Sequence, residues 1–173
     1  MTKRADAIAG HLVGAGKALV VLLLCLTSAT APAADRGPIR PADDDRCPVC
    51  GMFAAKHPDF AARVTFSDGA GFTFDGAKDM FRFLFDVARY APGRSRSDVG
   101  QILVTEYYEL VGIDARTALF VTGSDVHGPM GAELIPFATR EDAEAFRSDH
   151  RGTAVLTFDG VDFDTLRELA ATR

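Results

Sequence analysis

Residues 72–83 read FTFDGAKDMFRF, and residues 135–146, which lie 63 positions later, read IPFATREDAEAF. Two phenylalanines and an aspartate recur at equivalent places: Phe74, Asp79 and Phe83 in the first stretch, and Phe137, Asp142 and Phe146 in the second. In each stretch a short extended run of apolar residues passes into a helical pattern. The recurrence predicts a chain built from two similar halves.

The first half is predicted to contain two strands, a helix and a third strand. The first two strands cover 62–67 and 72–75 and are joined by a glycine-rich turn. From Gly76 to Tyr90 the apolar residues recur at helical spacing, and Asp75 is placed to cap this helix at its N-terminus. A strand over 101–108 is expected to follow.

The second half is predicted to repeat this order. Its expected elements are a strand over 119–123, a strand over 134–137, a helix over 143–149 that Thr139 and Asp142 introduce as a capping box, a strand over 154–158 and a terminal helix over 163–171. The predicted fold class is therefore α+β, with two ββαβ-like halves packed as one small domain.

The first 33 residues have the organisation of a secretory signal peptide. Lys3, Arg4 and Lys17 precede an unbroken apolar run over 18–26, and small residues follow it. The run is shorter than the roughly 20 residues that a membrane-spanning helix needs. Ala-Pro-Ala at 31–33 is the expected cleavage site, so the mature chain is expected to work outside the cytoplasm, where free thiols tend to oxidise.

The segment 34–46 is predicted to be a flexible tether, because it is rich in proline, aspartate and arginine and has Ile39 as its large apolar residue. The folded domain is expected to cover 47–173. Cys25 lies inside the apolar run and follows three leucines, whereas a lipoprotein processing site requires a small residue there. A lipid-anchored product, a cleaved soluble product and an uncleaved anchor therefore all stay open.

The composition is that of a small globular protein. The chain has 173 residues, of which 47% are hydrophobic and 25% are charged, so a single buried core is feasible. Its net charge of −5 argues against a nucleic-acid partner, since such proteins carry clustered lysine and arginine. The sequence has no nucleophile elbow, phosphate loop, HExxH motif or dinucleotide fingerprint, and no catalytic residue is predicted.

The stretch CPVCGM at 47–52 is the sharpest candidate for chemistry. The thiols of Cys47 and Cys50 are separated by two residues and can bind one ion, and Met52 adds a thioether. Soft sulfur ligands favour Cu(I), and a thioether neither titrates near neutral pH nor forms a disulfide. The motif therefore predicts a copper site suited to an oxidising compartment.

A second candidate is the glycine-rich stretch GSDVHGPMG at 123–131, which follows a predicted strand. It contains His127 and Met130, and a loop in this position can bring a side chain towards a site formed elsewhere. The stretch is also compatible with a plain turn.

Three other interpretations of the cysteine pair stay open. The two thiols can form a local disulfide that staples the start of the domain. They can act in thiol-disulfide exchange, although in thioredoxin-like proteins the motif follows a strand and opens a helix, whereas here a tether precedes it. They can also bind zinc together with two histidines.

The combined motifs resemble the NosL family, exported copper-binding accessory proteins of nitrous-oxide reductase maturation. The resemblance runs from about Cys47 to His150, and it is carried by CPVCGM (47–52), FTFDGAKDMFRF (72–83), ALFVTGSDVHGPMG (118–131) and PFATREDAEAF (136–146). It implies two ββαβ halves and a periplasmic carrier of Cu(I), not an enzyme.

The resemblance also implies ligands and partners. The implied ligands are Cys47, Cys50, Met52 and Met130, with His127 added because it is close to Met130. The implied partners are nitrous-oxide reductase, whose copper-sulfur cluster would receive the metal, and an ABC-type membrane assembly complex. Members of the family are commonly lipoproteins, and the sequence before Cys25 departs from that pattern.

Overall fold

The computed structural model describes residues 37–171. The predicted signal peptide and Cys25 lie outside the described residues. In chain order the strands and helices are β1 (Ala62–Phe66), β2 (Gly71–Phe74), α1 (Ala77–Phe85), α2 (Val87–Tyr90), β3 (Val99–Thr105), β4 (Gly112–Asp114), β5 (Leu119–Thr122), β6 (His127–Gly128), β7 (Gly131–Ala132), β8 (Ile135–Phe137), α3 (Arg140–Asp149), β9 (Ala154–Thr157) and α4 (Phe163–Ala171).

The first half forms a four-stranded antiparallel sheet in the order β2-β1-β3-β4. Central strand β1 alternates between buried and more exposed residues, as a strand with one covered face should. Its buried Val64 lies opposite Phe72 of β2 on one side and Ile102 of β3 on the other. Helix α1 contacts both β1 and β2.

The second half forms a three-stranded antiparallel sheet in the order β8-β5-β9, and α3 contacts all three strands. In both halves the chain runs from an edge strand into a helix that packs across the sheet. It then enters a strand that pairs with the other side of the central strand. The predicted α+β fold of two ββαβ halves is confirmed. The loop between β5 and β8 adds the small hairpin β6–β7.

The recurring phenylalanines occupy equivalent places in the two halves. The rings of Phe74 and Phe83 lie 5.2 Å apart between centroids, and those of Phe137 and Phe146 lie 4.9 Å apart. All four side chains are fully buried. Each pair joins an edge strand to the helix that follows it, so the spacing read from the sequence reflects the same packing contact made twice.

The N-terminal cap of α1 differs from the predicted one. The N-cap residue is Gly76, which offers no side-chain hydrogen bond, and the expectation that Asp75 caps the helix is wrong. Asp75 instead accepts a hydrogen bond from the thiol of Cys50. The helix is capped from the other half of the molecule, because Glu133 Oε1 accepts the backbone N–H of Lys78 at 2.6 Å.

Helix α3 has the predicted local cap, since Thr139 Oγ1 accepts the backbone N–H of Asp142 at 3.1 Å. The single helix predicted up to Tyr90 is divided in two. Asp86 leaves the helical conformation, with φ −143° and ψ 62°, and its carboxylate caps α2 by accepting the N–H of Arg89. A polar residue with a capping side chain therefore ends α1 one turn early.

Strand β3 ends at Thr105, three residues before the predicted end. Tyr107 lies in the turn that follows and packs its ring on Phe146, at 4.9 Å between centroids. Helix α4 has its predicted bounds and contacts α1. No helix within residues 37–171 combines the length and the hydropathy needed to cross a membrane.

The described part of the predicted tether, residues 37–46, contacts the first sheet. Ile39 is buried, and the backbone N–H of Gly112 donates to the carbonyl of Gly37 at 2.9 Å. The packed chain therefore begins before Cys47, because one buried isoleucine and a backbone hydrogen bond to β4 hold this segment in place.

Candidate metal centre

The CPVCGM motif forms a tight turn, and the two residues that flank it, Arg46 and Phe53, pair as an antiparallel bridge. Within the turn the Cys47 N–H donates to the Met52 carbonyl, and the Gly51 N–H donates to the Cys47 carbonyl, both at 2.8 Å. Gly51 has φ +80°, which residues with a Cβ rarely adopt. The glycine lets the chain fold back so that both thiols face α1.

Two carboxylates at the N-terminal end of α1 lie against the two thiols. Cys50 Sγ donates to Asp75 Oδ1 at 3.2 Å, and Cys47 Sγ donates to Asp79 Oδ2 at 3.5 Å. Asp79 lies in the first turn of α1 and Asp75 lies just before its N-cap, and both carboxylates face the cysteine turn. The ligand atoms of the cluster all lie within 4.8 Å of one another and belong to Cys47, Cys50, Asp75 and Asp79.

The cluster is open on one side. Cys47 is 1% exposed, and Asp75 and Asp79 are buried as well, whereas Cys50 is half-buried. Asp79 also has a cationic partner, since Arg82 Nη1 lies 3.1 Å from its Oδ1. An incoming ion would therefore meet Cys50 first and the buried thiol of Cys47 behind it.

Burial raises the pKa of the Cys50 thiol to about 12. The N–H of Met52 and the thiol of Cys47 offset this in part by hydrogen bonding to the sulfur, while Asp75 and Asp79 add to the increase. Burial also raises the pKa of Cys47. Both thiols therefore keep their protons at neutral pH.

This electrostatic setting is the opposite of a reactive redox pair. Thiol-disulfide enzymes lower the pKa of the attacking cysteine, often at a helix N-terminus. Here the motif lies in a turn of its own, and the N-terminal end of α1 presents carboxylates to the thiols instead. Cys47 and Cys50 are also free thiols in the structure, not a disulfide.

The two predicted thioethers lie on different turns. Met52 follows Cys50 by two residues and is partly exposed. Met130 is 47% exposed at the tip of the β6–β7 hairpin. The predicted ligand His127 opens the same hairpin, pairs with Ala132 across it and is exposed. The structure thus brings the two cysteines together and places Met130 and His127 on a second, separate turn.

Both turns contact the same end of α1. The cysteine turn meets Asp75 and Asp79, and the hairpin meets Lys78, whose Nζ donates to the Met130 carbonyl at 3.1 Å. Residues 78 and 79 are consecutive. The two sequence motifs, almost 80 residues apart, therefore both contact the N-terminal end of α1, at consecutive residues of the helix.

Among residues 37–171, no zinc site of two cysteines and two histidines is assembled. In the part of the chain that the structure describes, the cluster contains two cysteines and two aspartates. His150 instead lies at the end of α3, with Nδ1 3.1 Å from Asp125 Oδ1. The sequence interpretation missed Asp75 and Asp79 as members of the cluster. The signal that could have found them is their spacing of four at the start of a predicted helix.

The family model NosL matches residues 38–166 of this chain. A curated relative, the copper-binding lipoprotein NosL of Stutzerimonas stutzeri, is 30% identical over 177 aligned residues, which cover 93% of this chain and 87% of the relative.

A similar fold occurs in the crystal structure of the copper chaperone NosL from Shewanella denitrificans. The TM-score is 0.60 at 22% sequence identity, and the match covers 76% of this chain and 99% of that chain. At this identity the likeness concerns the fold, and it agrees with the two-half architecture described above.

Proposed function

The chain belongs to the NosL family, and from this premise we propose that it is an exported carrier of Cu(I) with no catalytic reaction of its own. The observation that carries the proposal is the cluster at the start of α1, where two thiols from one turn converge with two carboxylates within 4.8 Å. The names of both relatives, which mention copper binding or copper chaperoning, support the choice of metal.

The donor set favours Cu(I) over harder cations. Two sulfur atoms are the soft ligands that Cu(I) prefers, and low coordination numbers suit it. A thioether from Met52 or Met130 can complete the coordination without a charge. Carboxylates alone would suit magnesium or calcium, but here both aspartates already accept hydrogen bonds from thiols.

The two aspartates lie where they can accept the protons that the thiols lose when copper binds. Binding one Cu(I) to two thiols forms two Cu–S bonds, breaks two S–H bonds and releases two protons, leaving a bis-thiolate with one negative charge. Asp75 and Asp79 lie 3.2 and 3.5 Å from the sulfurs that lose these protons. They are therefore placed to accept the protons and pass them to solvent.

Release of copper to a recipient requires an accessible side. Cys50 and Met130 are partly exposed, so an incoming ligand can bind the copper while Cys47 still holds it. Such a shared-ligand step needs no unfolding of the domain. The acidic net charge of −5 would favour docking on a basic surface of the recipient.

Export and delivery are part of the same proposal. The first 33 residues would act as a signal peptide, and Cys25 would be lipidated only if the leucines before it are tolerated. The relative from Stutzerimonas stutzeri is named a lipoprotein, which supports work in the periplasm. Nitrous-oxide reductase and an ABC-type membrane assembly complex are the proposed partners.

The copper proposal is tested by anaerobic titration of the reduced mature protein with Cu(I) against a chromophoric chelator. We expect one tightly bound ion in the parent and a loss of affinity of at least about 100-fold in Cys50→Ser and Cys47→Ser, because each removes a soft anionic ligand. Asp142→Asn, which changes the equivalent of Asp79 in the second half, is the matched control and should bind like the parent. Unchanged binding in both cysteine variants would refute the site.

The delivery proposal needs a separate measurement. In a nitrous-oxide-respiring strain that lacks its own copy of this gene, the parent chain should restore nitrous-oxide reduction, and Cys50→Ser should not. Copper binding without any restoration would leave the carrier chemistry in place and remove nitrous-oxide reductase as the recipient.

A further inference from the structure

A buried lysine joins α1 to the hairpin that carries Met130. Lys78 is 2% exposed, although an ammonium group out of water is costly unless it is fully hydrogen bonded. Its Nζ donates to two carbonyls of the β6–β7 hairpin, those of Met130 at 3.1 Å and of Ala132 at 2.5 Å. The side chain therefore holds the hairpin backbone on both sides of its glycine turn at Gly131, where φ is +86°.

A buried glutamate holds the backbone of the same lysine. Glu133 Oε1 accepts the N–H of Lys78 at 2.6 Å and the N–H of Leu134 at 2.9 Å. Two glycines make room for this carboxyl group, since a Cβ at Gly76 would lie 2.3 Å from Glu133 Oε2 and a Cβ at Gly128 would lie 3.0 Å from Glu133 Cγ. Close packing on both sides fixes where the glutamate lies.

Residue 78 is thus tied to the hairpin at both its backbone and its side chain. Its neighbour Asp79 is hydrogen bonded to Cys47, so the same helical turn holds both sequence motifs. The thioether of Met130 is exposed, but the backbone that carries it is fixed. A fixed backbone lowers the entropy that the methionine loses when it binds a ligand.

We propose that Lys78 and Glu133 form a brace that positions the Met130 thioether for the metal bound at Cys47 and Cys50. The inference rests on the proposed copper function and deepens it. The brace residues touch no metal themselves. They act through Met130, by holding its turn against the end of α1 that carries the aspartates.

The test is a double-mutant cycle in the reduced, folded protein, with Cu(I) affinity measured by chelator competition. Outer residues that orient a ligand typically change metal affinity about 10- to 100-fold, and we expect a loss in this range for Lys78→Leu. In a Met130→Ala background the same substitution should change affinity by less than about twofold, because its target is already absent. Additive losses in the two backgrounds would overturn the brace.

A second readout separates positioning from simple loss of stability. With ¹³C-methyl-labelled methionine, the Met130 methyl signal should shift on addition of Cu(I) in the parent and should stay in place in Lys78→Leu. Met52 provides an internal comparison in the same spectrum. A Met130 shift in Lys78→Leu equal to that of the parent would overturn the proposal.

Two further variants keep the test decisive. If Lys78→Leu fails to fold, Lys78→Gln replaces it, because its amide is one bond too short to reach both carbonyls. Phe146→Leu, in the core of the second half, is the control that lowers stability away from the site, and it should bind copper like the parent. An affinity loss in Phe146→Leu equal to that in the lysine variant would overturn the brace.

The two proposals fail in different ways. If Met130→Ala binds Cu(I) like the parent while Cys50→Ser does not, the copper site stands and the brace has no ligand to position, so it is overturned. If the parent itself binds no Cu(I), the copper function fails.

Discussion

The two halves of this molecule share one backbone plan, yet within residues 37–171 only the first contains a cluster of side chains that could hold a metal ion. Asp79 and Asp142 occupy equivalent places in the first turn of their helices. Asp142 takes part in the local cap of α3, where its N–H donates to Thr139, whereas Asp79 is buried against Cys47. Because the two halves share their fold, a difference in function between them arises at the few equivalent positions where their side-chain contacts differ.

The difference follows from how each helix is capped. Helix α3 is capped by the residue just before it, so its first turn serves its own stability. Helix α1 has Gly76 at its N-cap and is capped by Glu133, which leaves Asp75 and Asp79 available to the thiols. A cap supplied from the other half releases local polar side chains for binding.

The largest expected effect tests the shared plan. Phe83→Ala and Phe146→Ala each remove a fully buried ring at equivalent places, and each should lower the free energy of unfolding by about 3–5 kcal/mol. Chemical denaturation of the copper-free protein measures both. A loss below about 1 kcal/mol in one of the pair would show that the halves do not share their packing.

The next effect concerns pH and the remote cap. Burial raises the pKa of Glu133 from 4.5 to about 7, an increase that Lys78 reduces and Asp79 reinforces. Between these two pH values the folded chain holds a proton on Glu133 that the unfolded chain has released. The contribution of this proton to the free energy of unfolding is therefore complete below about pH 4.5 and is lost as the pH rises through about 7. At about 1.36 kcal/mol per pH unit, the loss amounts to about 3 kcal/mol.

Denaturation at pH 5 to 8 checks this sign. Glu133→Gln keeps the acceptor oxygen and removes the titration, so the parent should lose stability relative to this variant as pH rises. Thr139→Ala, at the cap of α3, should keep the pH dependence of the parent. A constant difference between parent and Glu133→Gln would contradict the prediction.

The two caps themselves should differ in strength. At pH 6, Glu133→Ala leaves two buried backbone N–H groups without an acceptor and should cost about 2–3 kcal/mol of unfolding free energy. Thr139→Ala removes one exposed cap and should cost about 1 kcal/mol. Equal losses, measured by denaturation, would show that the remote cap adds nothing beyond a local one.

The smallest effect concerns thiol reactivity in the copper-free protein. Burial is the main cause of the raised pKa of Cys50, and the carboxylate of Asp75 adds to it. Asp75→Asn should lower this pKa slightly and speed alkylation by iodoacetamide at pH 8 about threefold. At a fixed pH the thiolate fraction grows about tenfold for each unit by which the pKa of the thiol falls. Asp142→Asn should leave the rate unchanged, and slower alkylation in Asp75→Asn would contradict the electrostatic assignment.

Much of the fold was predictable because it depends on local pattern. The spacing of Phe74 and Phe83, repeated at Phe137 and Phe146, indicates the same strand-to-helix contact in each half. Thr139 followed by Asp142 predicts a cap that needs no distant partner. Each of these signals lies within about ten residues of chain, where periodicity and capping act directly.

The site was predictable only in part. The spacing of Cys47 and Cys50 predicted that the two thiols converge, and they do. Asp75 was misassigned as a cap, because an aspartate just before a helix usually caps it. Lys78 and Glu133 gave no signal at all, since the contacts between Lys78 and Glu133 and between Lys78 and Met130 span more than 50 residues.

The order of strands and helices, the paired thiols and the repeated phenylalanines follow from the chain's own periodicity and spacing. Which aspartate faces solvent and which faces a thiol was decided by tertiary structure alone. The reason is physical: a carboxylate takes the nearest donor that burial provides, and here that donor lies on a turn some 25 to 32 residues distant in the chain.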